Sequence, residues 1–409
     1  MLRRAITLLL LSLSFCVYAA AQTTAIRAGR VIDTDTGTTT TNQIILVEKG
    51  KITAMGGNVA IPSDATVIDL SRATVLPGLF DAHTHLCMSV NQPRDAGNYY
   101  YTTLRDPDSF RAIQGVANGQ AMLESGFTTV RDIGNEGNYA CTSVRRAIQQ
   151  GWVTGPTIIN AGRIIAPYGG QFQLQQDKPK LGEPEYFFAD TRDEMIKGIR
   201  ENIHYGAGVI KIVVDDQRYI YSVDDIKFII AEASRAGMKV AAHAWTGPGA
   251  HNAAEAGVAS IEHGRIMSDD DLRLAKKNNV VLVGTDYIAL EDKDHHDIWI
   301  DRLRRAYQIG VTMAYGTDVV NIFPGQTRGT LAISGIDPWI EAKIPPQVLL
   351  QAMTANAARL LGVDKTRGFL RVGQAADIIA TADNPLEKVE TLKHVVFVMK
   401  DGKLIKSEQ

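Results

Sequence analysis

Short apolar runs alternate along the chain with stretches whose apolar residues recur at helical spacing, the pattern of strand–helix units around a parallel sheet. Eight runs predict strands: Leu76 to Asp81, Thr128 to Arg131, Thr157 to Asn160, Val209 to Val213, Lys239 to Ala242, Ser260 to Glu262, Val280 to Val283 and Thr312 to Tyr315. Helical period covers Ser109 to Ser125, Arg192 to Tyr205, Val223 to Ala236, Ala250 to Ala256 and Pro346 to Leu361, and glycine follows several of these as a C-cap. Eight such units argue for an α/β chain closed as a (β/α)8, TIM-like barrel. A doubly wound open sheet satisfies the same periodicity, which does not encode closure.

Both ends have a different texture. Ile26 to Leu70 strings short β-rich runs between turns at Gly37 and Lys49-Gly50-Lys51, and Asp377 to Ala380 and Val395 to Met399 resume that texture before the turn Asp401-Gly402. The two ends therefore predict one small β-sandwich domain. The expected layout is a leader at 1–21, a sandwich from 22–75 with 366–409, and a barrel over 76–365.

The leader carries Arg3 and Arg4, then the largely apolar run Ala5 to Ala21, ending in three alanines before Gln22. This reads as a signal peptide and predicts an exported protein, periplasmic or secreted. A retained anchor is the other reading, but the apolar core is short against the roughly 20 residues of a membrane span, so no stable span is expected. Phe15 makes Cys16 a poor lipidation site, and the mature chain keeps only Cys87 and Cys141, which excludes a disulfide framework and leaves a single bridge open.

Composition narrows the partners. With 45% hydrophobic and 22% charged residues among 409, the chain is globular with a large core. A formal net charge of −2 gives no general attraction to nucleic acid or anionic membrane. The expected partner is a small molecule recognised locally, and an oligomer is compatible with everything above.

Candidate chemistry sits where the predicted strands end. His83 and His85 follow the first strand, and alternation along an extended backbone sends residues two apart to the same side. His243 ends the fifth predicted strand, His263 the sixth and Asp318 the eighth, the carboxyl ends where barrel enzymes build their sites. Any one of these histidines is ordinarily a hydrogen-bonded structural residue; together they make a metal-ligand set. Lys211 lies inside Val209-Ile210-Lys211-Ile212-Val213, where a charged ammonium is costly to bury. It needs a carboxylate partner or a chemical change: burial depresses a lysine pKa, and a neutral amine adds carbon dioxide to form a carbamate whose two oxygens can bridge two cations.

Pro77 to His85, Gly316-Thr317-Asp318 and Thr354-Ala355-Asn356-Ala357-Ala358 resemble the amidohydrolase superfamily over nearly the whole mature chain. Ile261-Glu262-His263-Gly264 and Gly373 to Ile378 further resemble its imidazolonepropionase-like branch, which includes prolidases and other dipeptidases. The resemblance implies two divalent ions, expected to be zinc, with His83, His85 and Asp318 on the first, His243 and His263 on the second, and carboxylated Lys211 between them. Mn, Co or Fe suit the same ligands. Two cations about 3.5–4 Å apart share a water and lower its pKa from about 15.7 toward roughly 7. Asp318 is then the expected proton acceptor and donor in hydrolysis of an amide C–N bond.

Two departures bear on substrate. Tyr168-Gly169-Gly170 is followed by Gln171 where members of the branch often carry histidine, and Trp245 stands two past His243 where tyrosine is common. Either residue contacts substrate or is an ordinary loop residue. Arg163 and Arg131 are candidate cations for a substrate carboxylate, with a structural role as the alternative, and the loop from Ala166 to Pro184 is expected to cover the site. The resulting expectation is a dipeptidase, prolidase-type or N-acyl amino acid hydrolase, with a cyclic amide, aryl amide or lactone hydrolase as alternative. A catalytically inert binding barrel is disfavoured because every metal position is present.

Overall fold

The computed structural model describes residues 23–408; the leader expected at 1–21 lies outside them. Among the described residues no helix is long and apolar enough to cross a membrane.

The two ends of the chain meet in one sheet. Its seven strands run in the order Lys403–Ser407, Val395–Lys400, Ile378–Thr381, Thr66–Pro77, Thr24–Asp33, Thr38–Glu48, Lys51–Gly56. The joint between the ends is the antiparallel pair in which Ile379 faces Leu76 and Ala380 faces Val75. Inward residues of this sheet, among them Ile26, Ile45, Val75, Ile378 and Phe397, form a hydrophobic core of their own. Strand Thr66–Pro77 then passes through Gly78, whose N–H donates to Asp377 O at 2.9 Å, directly into Leu79–Thr84. The chain thus enters the parallel α/β region from a fixed platform.

The central region is parallel α/β. One sheet contains Leu79–Thr84, Phe127–Asp132 and Thr157–Asn160, and a second runs Tyr186–Phe188, Ile164–Ala166, Ile210–Val213, Val240–Ala244, Ser260–His263, Val281–Val283. Helices follow as expected over Asp108–Glu124, Arg192–His204, Val223–Ser234 and Gly247–Ala256. Three more, Ala140–Gln149, Asp269–Lys277 and His296–Ile309, were not foreseen. The second is rich in Asp at its start and capped by Ser268, whose hydroxyl accepts from Asp271 N while the Asp271 carboxylate returns to Ser268.

Two expectations need correction. Thr312 to Tyr315 is not a full strand: it has one parallel bridge, Met313 to Leu282. Its backbone divides its bonds between both neighbours, Leu282 N reaching Thr312 O at 2.9 Å and Ala82 N reaching Tyr315 O at 2.7 Å. Pro346 to Leu361 is two helices, Pro346–Ala352 and Ala355–Leu361, because Thr354 leaves helical geometry at φ −139, ψ −90. Its hydroxyl donates to Leu350 O at 2.6 Å and lies 2.7 Å from the Thr34 hydroxyl of the end sheet.

Segment 312–318 links the two parallel sheets on one side, since Asp318 N also donates to His83 O at 2.8 Å. On the other side, Gly208 N reaches Asn160 O at 2.7 Å. The first link requires Gly316: a Cβ there would stand 2.5 Å from Val283 Cγ1 and 2.7 Å from His83 Cβ. Overpacking at such a contact costs about 1–3 kcal/mol. Gly316→Ala is therefore expected to lower the unfolding free energy by that amount, read as a lower urea midpoint at an unchanged denaturant slope; an unchanged midpoint would show that the contact does not constrain the fold.

Candidate metal centre

The strand Leu79–Thr84 delivers His83 and His85 to one place. His83 Nε2 lies 3.6 Å and His85 Nε2 3.1 Å from Asp318 Oδ1. Their other ring nitrogens are held from behind, His83 Nδ1 by Glu262 Oε2 at 2.8 Å and His85 Nδ1 by Gly134 O at 2.6 Å. A carbonyl only accepts, so His85 carries its proton on Nδ1, and an ionised Glu262 imposes the same on His83. Both Nε2 lone pairs are left toward the cavity.

The other two histidines close the group. Ring centroids lie 4.9 Å apart for His83 and His263, and 4.6 Å apart for His243 and His263. Burial drives His83 down to about 4 and, with the neighbouring imidazoles, His263 well below its ordinary value. Neutral imidazole is the form that binds metal. Burial opposes the charged form of His85 as well, but the bond and charge of Asp318 raise it. Asp318, which burial alone would raise, is instead held low by His83, His85 and Lys211.

Lys211 projects from Ile210–Val213 into the same cavity and is 2% exposed. Burial lowers its pKa to about 8. The ion pair that ordinarily explains a buried lysine is not formed: no hydrogen bond or ion pair joins Lys211 to any described residue. Glu262, whose charge Lys211 feels most, is already engaged. Its Oε1 accepts from Arg131 Nη2 at 2.8 Å, and its Oε2 is the partner of His83. Burial would raise the Glu262 carboxyl, but Arg131 and His83 pull it down to about 2.

These groups suit divalent metals. His83, His263 and Asp318 offer ligand atoms within 4.8 Å of one another, and so do Asp215, Asp216 and His243. His263 falls in the first group, and its ring also lies 4.6 Å from that of His243. The buried His243 Nε2 stands 2.9 Å from Asp216 Oδ2 but lacks the alignment of a hydrogen bond, so its lone pair is unsatisfied. Neutral imidazoles with carboxylates form the borderline donor set of zinc and its neighbours. Backbone strain marks the same residues: Asp216, His263 and Asp318 have φ of 92, 68 and 59 degrees, left-handed values that side chains bearing a Cβ rarely adopt.

The substrate candidates divide. Gln171 and Trp245 both line the cavity of about 430 Å³. Gln171 Nε2 donates to Asp216 Oδ2 at 2.8 Å and its Oε1 accepts from the Tyr186 hydroxyl at 2.9 Å. Trp245 lies parallel to the His243 ring, with centroids 6.1 Å apart. Neither arginine reaches the cavity. Arg131 is 2% exposed and donates to Ala82 O, Ser260 Oγ and Glu262, so it braces the centre from within. Arg163 pairs with Glu201 and donates to Glu183 O, in a separate cleft beside Tyr139 and Tyr205.

Several working residues escaped the reading of the sequence. Glu262 carries the same signal as Lys211, a charge inside an apolar strand, and could have been flagged on that ground. Asp81 accepts from Thr317 N, Thr317 Oγ1 and His83 N and so fixes the turn before Asp318; burial raises it to about 7. Tyr99, Asn135 and Asp216 from loops, and Glu291 from the short helix Ile288–Glu291, line the cavity with no local signature.

Comparison with known proteins agrees with this geometry. The model of the amidohydrolase family matches residues 74–405. The chain is 27% identical over 433 aligned positions to ochratoxinase of Aspergillus niger, covering 94% of this chain and 87% of that protein. It is 24% identical to imidazolonepropionase of Alkaliphilus metalliredigens over 88% of this chain and 89% of the other. Among solved structures, a Xaa-Pro dipeptidase with methionine bound in its active site superposes with a TM-score of 0.83 at 28% identity, over 94% of this chain and 99% of that one. The chain belongs to the amidohydrolase family and is a hydrolase of carbon–nitrogen bonds.

Proposed function

We propose that this chain is an exported, two-metal hydrolase that cleaves the amide bond of a dipeptide-sized substrate, of the dipeptidase or N-acyl amino acid type. One observation carries the reading: a buried lysine without a partner stands among four histidines and Asp318 around a single cavity. That cavity, of about 430 Å³, is of the size that holds a small ligand. Linkage of the two parallel sheets at both edges supports an eight-membered TIM-like barrel over 76–365, with the joined ends, 22–75 and 366–409, as the β-sandwich beside it.

His83, His85 and Asp318 would hold one ion and His243 and His263 the other, zinc being the expected metal, with Lys211 between them as a carbamate. The neutral Nζ forms an N–C bond to carbon dioxide and releases a proton, which leaves two oxygens in place of one ammonium. Ions bound there lower the pKa of a shared water and polarise the scissile carbonyl. Asp318, ionised and facing the His83 and His85 nitrogens, takes a proton as the water oxygen bonds to the carbonyl carbon. It returns that proton to the nitrogen as the C–N bond breaks. Glu262 and Gly134 O hold the two imidazoles in their tautomers throughout, and the face of Trp245 excludes bulk water.

A second reading, a cyclic amide, aryl amide or lactone, is favoured by the apolar lining of Met88, Ile164, Ile288 and Val320 beside Trp245 and by the absence of both arginines from the cavity. A panel of dipeptides, N-acyl amino acids, cyclic amides and lactones with zinc or manganese separates the readings. Turnover of the first two classes is expected, and turnover confined to the last two would overturn the dipeptidase reading.

On the best substrate of that panel, Lys211→Ala should lose bridged metal, with metal content falling below two ions per chain and activity nearly abolished. Short carboxylic acids should restore part of it. Asp318→Asn should lower kcat by about 10²–10⁴-fold, the usual contribution of a positioned acid–base group. Full metal content and wild-type rate in the first variant, or an unchanged kcat in the second, would remove the residue from its role. Export predicts a mature terminus at Gln22 in protein from its native host, read by mass spectrometry; an intact Met1 would refute it.

A further inference from the structure

The charge on the cavity wall is uneven. Its lining acids are Asp216, Glu291 and Asp318, and apart from histidines its one basic side chain is Lys211. Asp318 faces the histidines, and Asp216 accepts from Gln171 and lies beside His243. Glu291 is different. It closes the short helix Ile288–Glu291, and its Oε2 accepts from Asn321 Nδ2 at 2.6 Å. The hydroxyl of Tyr287, one helical turn back, is its other partner. Both partners are neutral, and no Lys, Arg or His among the described residues forms an ion pair with it.

Burial pushes the Glu291 carboxyl up, its bonds from Tyr287 and Asn321 and the charge of Arg328 hold it back, and the charge of Asp318 adds to the push, so Glu291 stands within electrostatic reach of the metal-ligand set. Ile288, Met88 and Val320 share its wall of the cavity. A carboxylate that lines the ligand space with only neutral hydrogen-bond partners is open to a charge-assisted bond from a positively charged ligand.

We propose that Glu291 is the specificity-determining residue of this cavity and that it selects an amide carrying an ammonium or guanidinium group. The inference rests on reading the cavity as the amide-hydrolysing site. The cation has two sources, the α-ammonium of a dipeptide or a basic side chain, and both present the same chemistry to the carboxylate.

Binding of hexanol, its α-amino derivative and its terminal-amino derivative to the metal-loaded protein, followed by calorimetry, tests the inference without turnover. At least one amine should bind about tenfold or more tighter than hexanol, equivalent to about 1.4 kcal/mol, and which one does so identifies the source. Glu291→Gln should abolish that preference, and Glu291→Lys should reverse it toward hexanoate, with thermal melts confirming that each variant is folded. In kinetics, Glu291→Gln should collapse the ratio of kcat/KM between a lysyl dipeptide and its norleucyl counterpart, mainly through KM. Equal binding of the three ligands, or a preference that survives in Glu291→Gln, would overturn the inference. Amine preference without hydrolysis of any amide would support Glu291 as the cation selector and refute the amide-hydrolase reading instead.

Discussion

The centre depends on one buried carboxylate. Glu262 is fully buried, and in the interior it neutralises Arg131, orients His83 and accepts the Ser260 hydroxyl. Breaking one side of such a buried pair costs about 3–5 kcal/mol, because the remaining charge is left uncompensated. The same engagement has a second effect. With both oxygens of Glu262 engaged by other side chains, Lys211 forms no ion pair with it, and burial holds its amine closer to the neutral form. A structural ion pair and a chemically available lysine are therefore two sides of one arrangement.

The link of segment 312–318 to Leu79–Thr84 gives that arrangement its geometry. His83 O receives both Thr317 N and Asp318 N, while Asp81 holds Thr317 through backbone and hydroxyl. These bonds stabilise the left-handed backbone that turns Asp318 toward the histidines. Strain at Asp318 and His263 costs on the order of 1–3 kcal/mol each and persists where the surroundings over-determine it. Here the surroundings are the sheet edges themselves, so the reacting groups are positioned by the most rigid part of the molecule.

Much of this was legible in the amino-acid sequence because the periodicities that specify strands also specify where strands end. His83 and His85 two apart after an apolar run, His243 and His263 closing two others, and Lys211 inside a fourth are local signals, and the structure brings them around one cavity. The joining of the ends was readable for the same reason, from β-rich texture at both. What escaped depends on partners distant in sequence. Arg131 looked like a substrate cation until Glu262, 131 positions on, was seen to occupy it. The helix break at Thr354 involves the Thr34 hydroxyl, 320 positions away. Asp216 reaches the cavity from a loop and Glu291 from the four-residue helix Ile288–Glu291, neither long enough to carry a period.

The central claim is that Lys211, left without an ion-pair partner by Glu262, bridges two ions as a carbamate. Anomalous diffraction at the zinc edge, from crystals of the full mature chain grown with zinc and bicarbonate, reads metals and lysine together. The account predicts two anomalous peaks among His83, His85, His243, His263 and Asp318, with density continuous from Lys211 Nζ into a planar three-atom group between them. A bare Lys211 ammonium in an ion pair, with one peak or none, would contradict it.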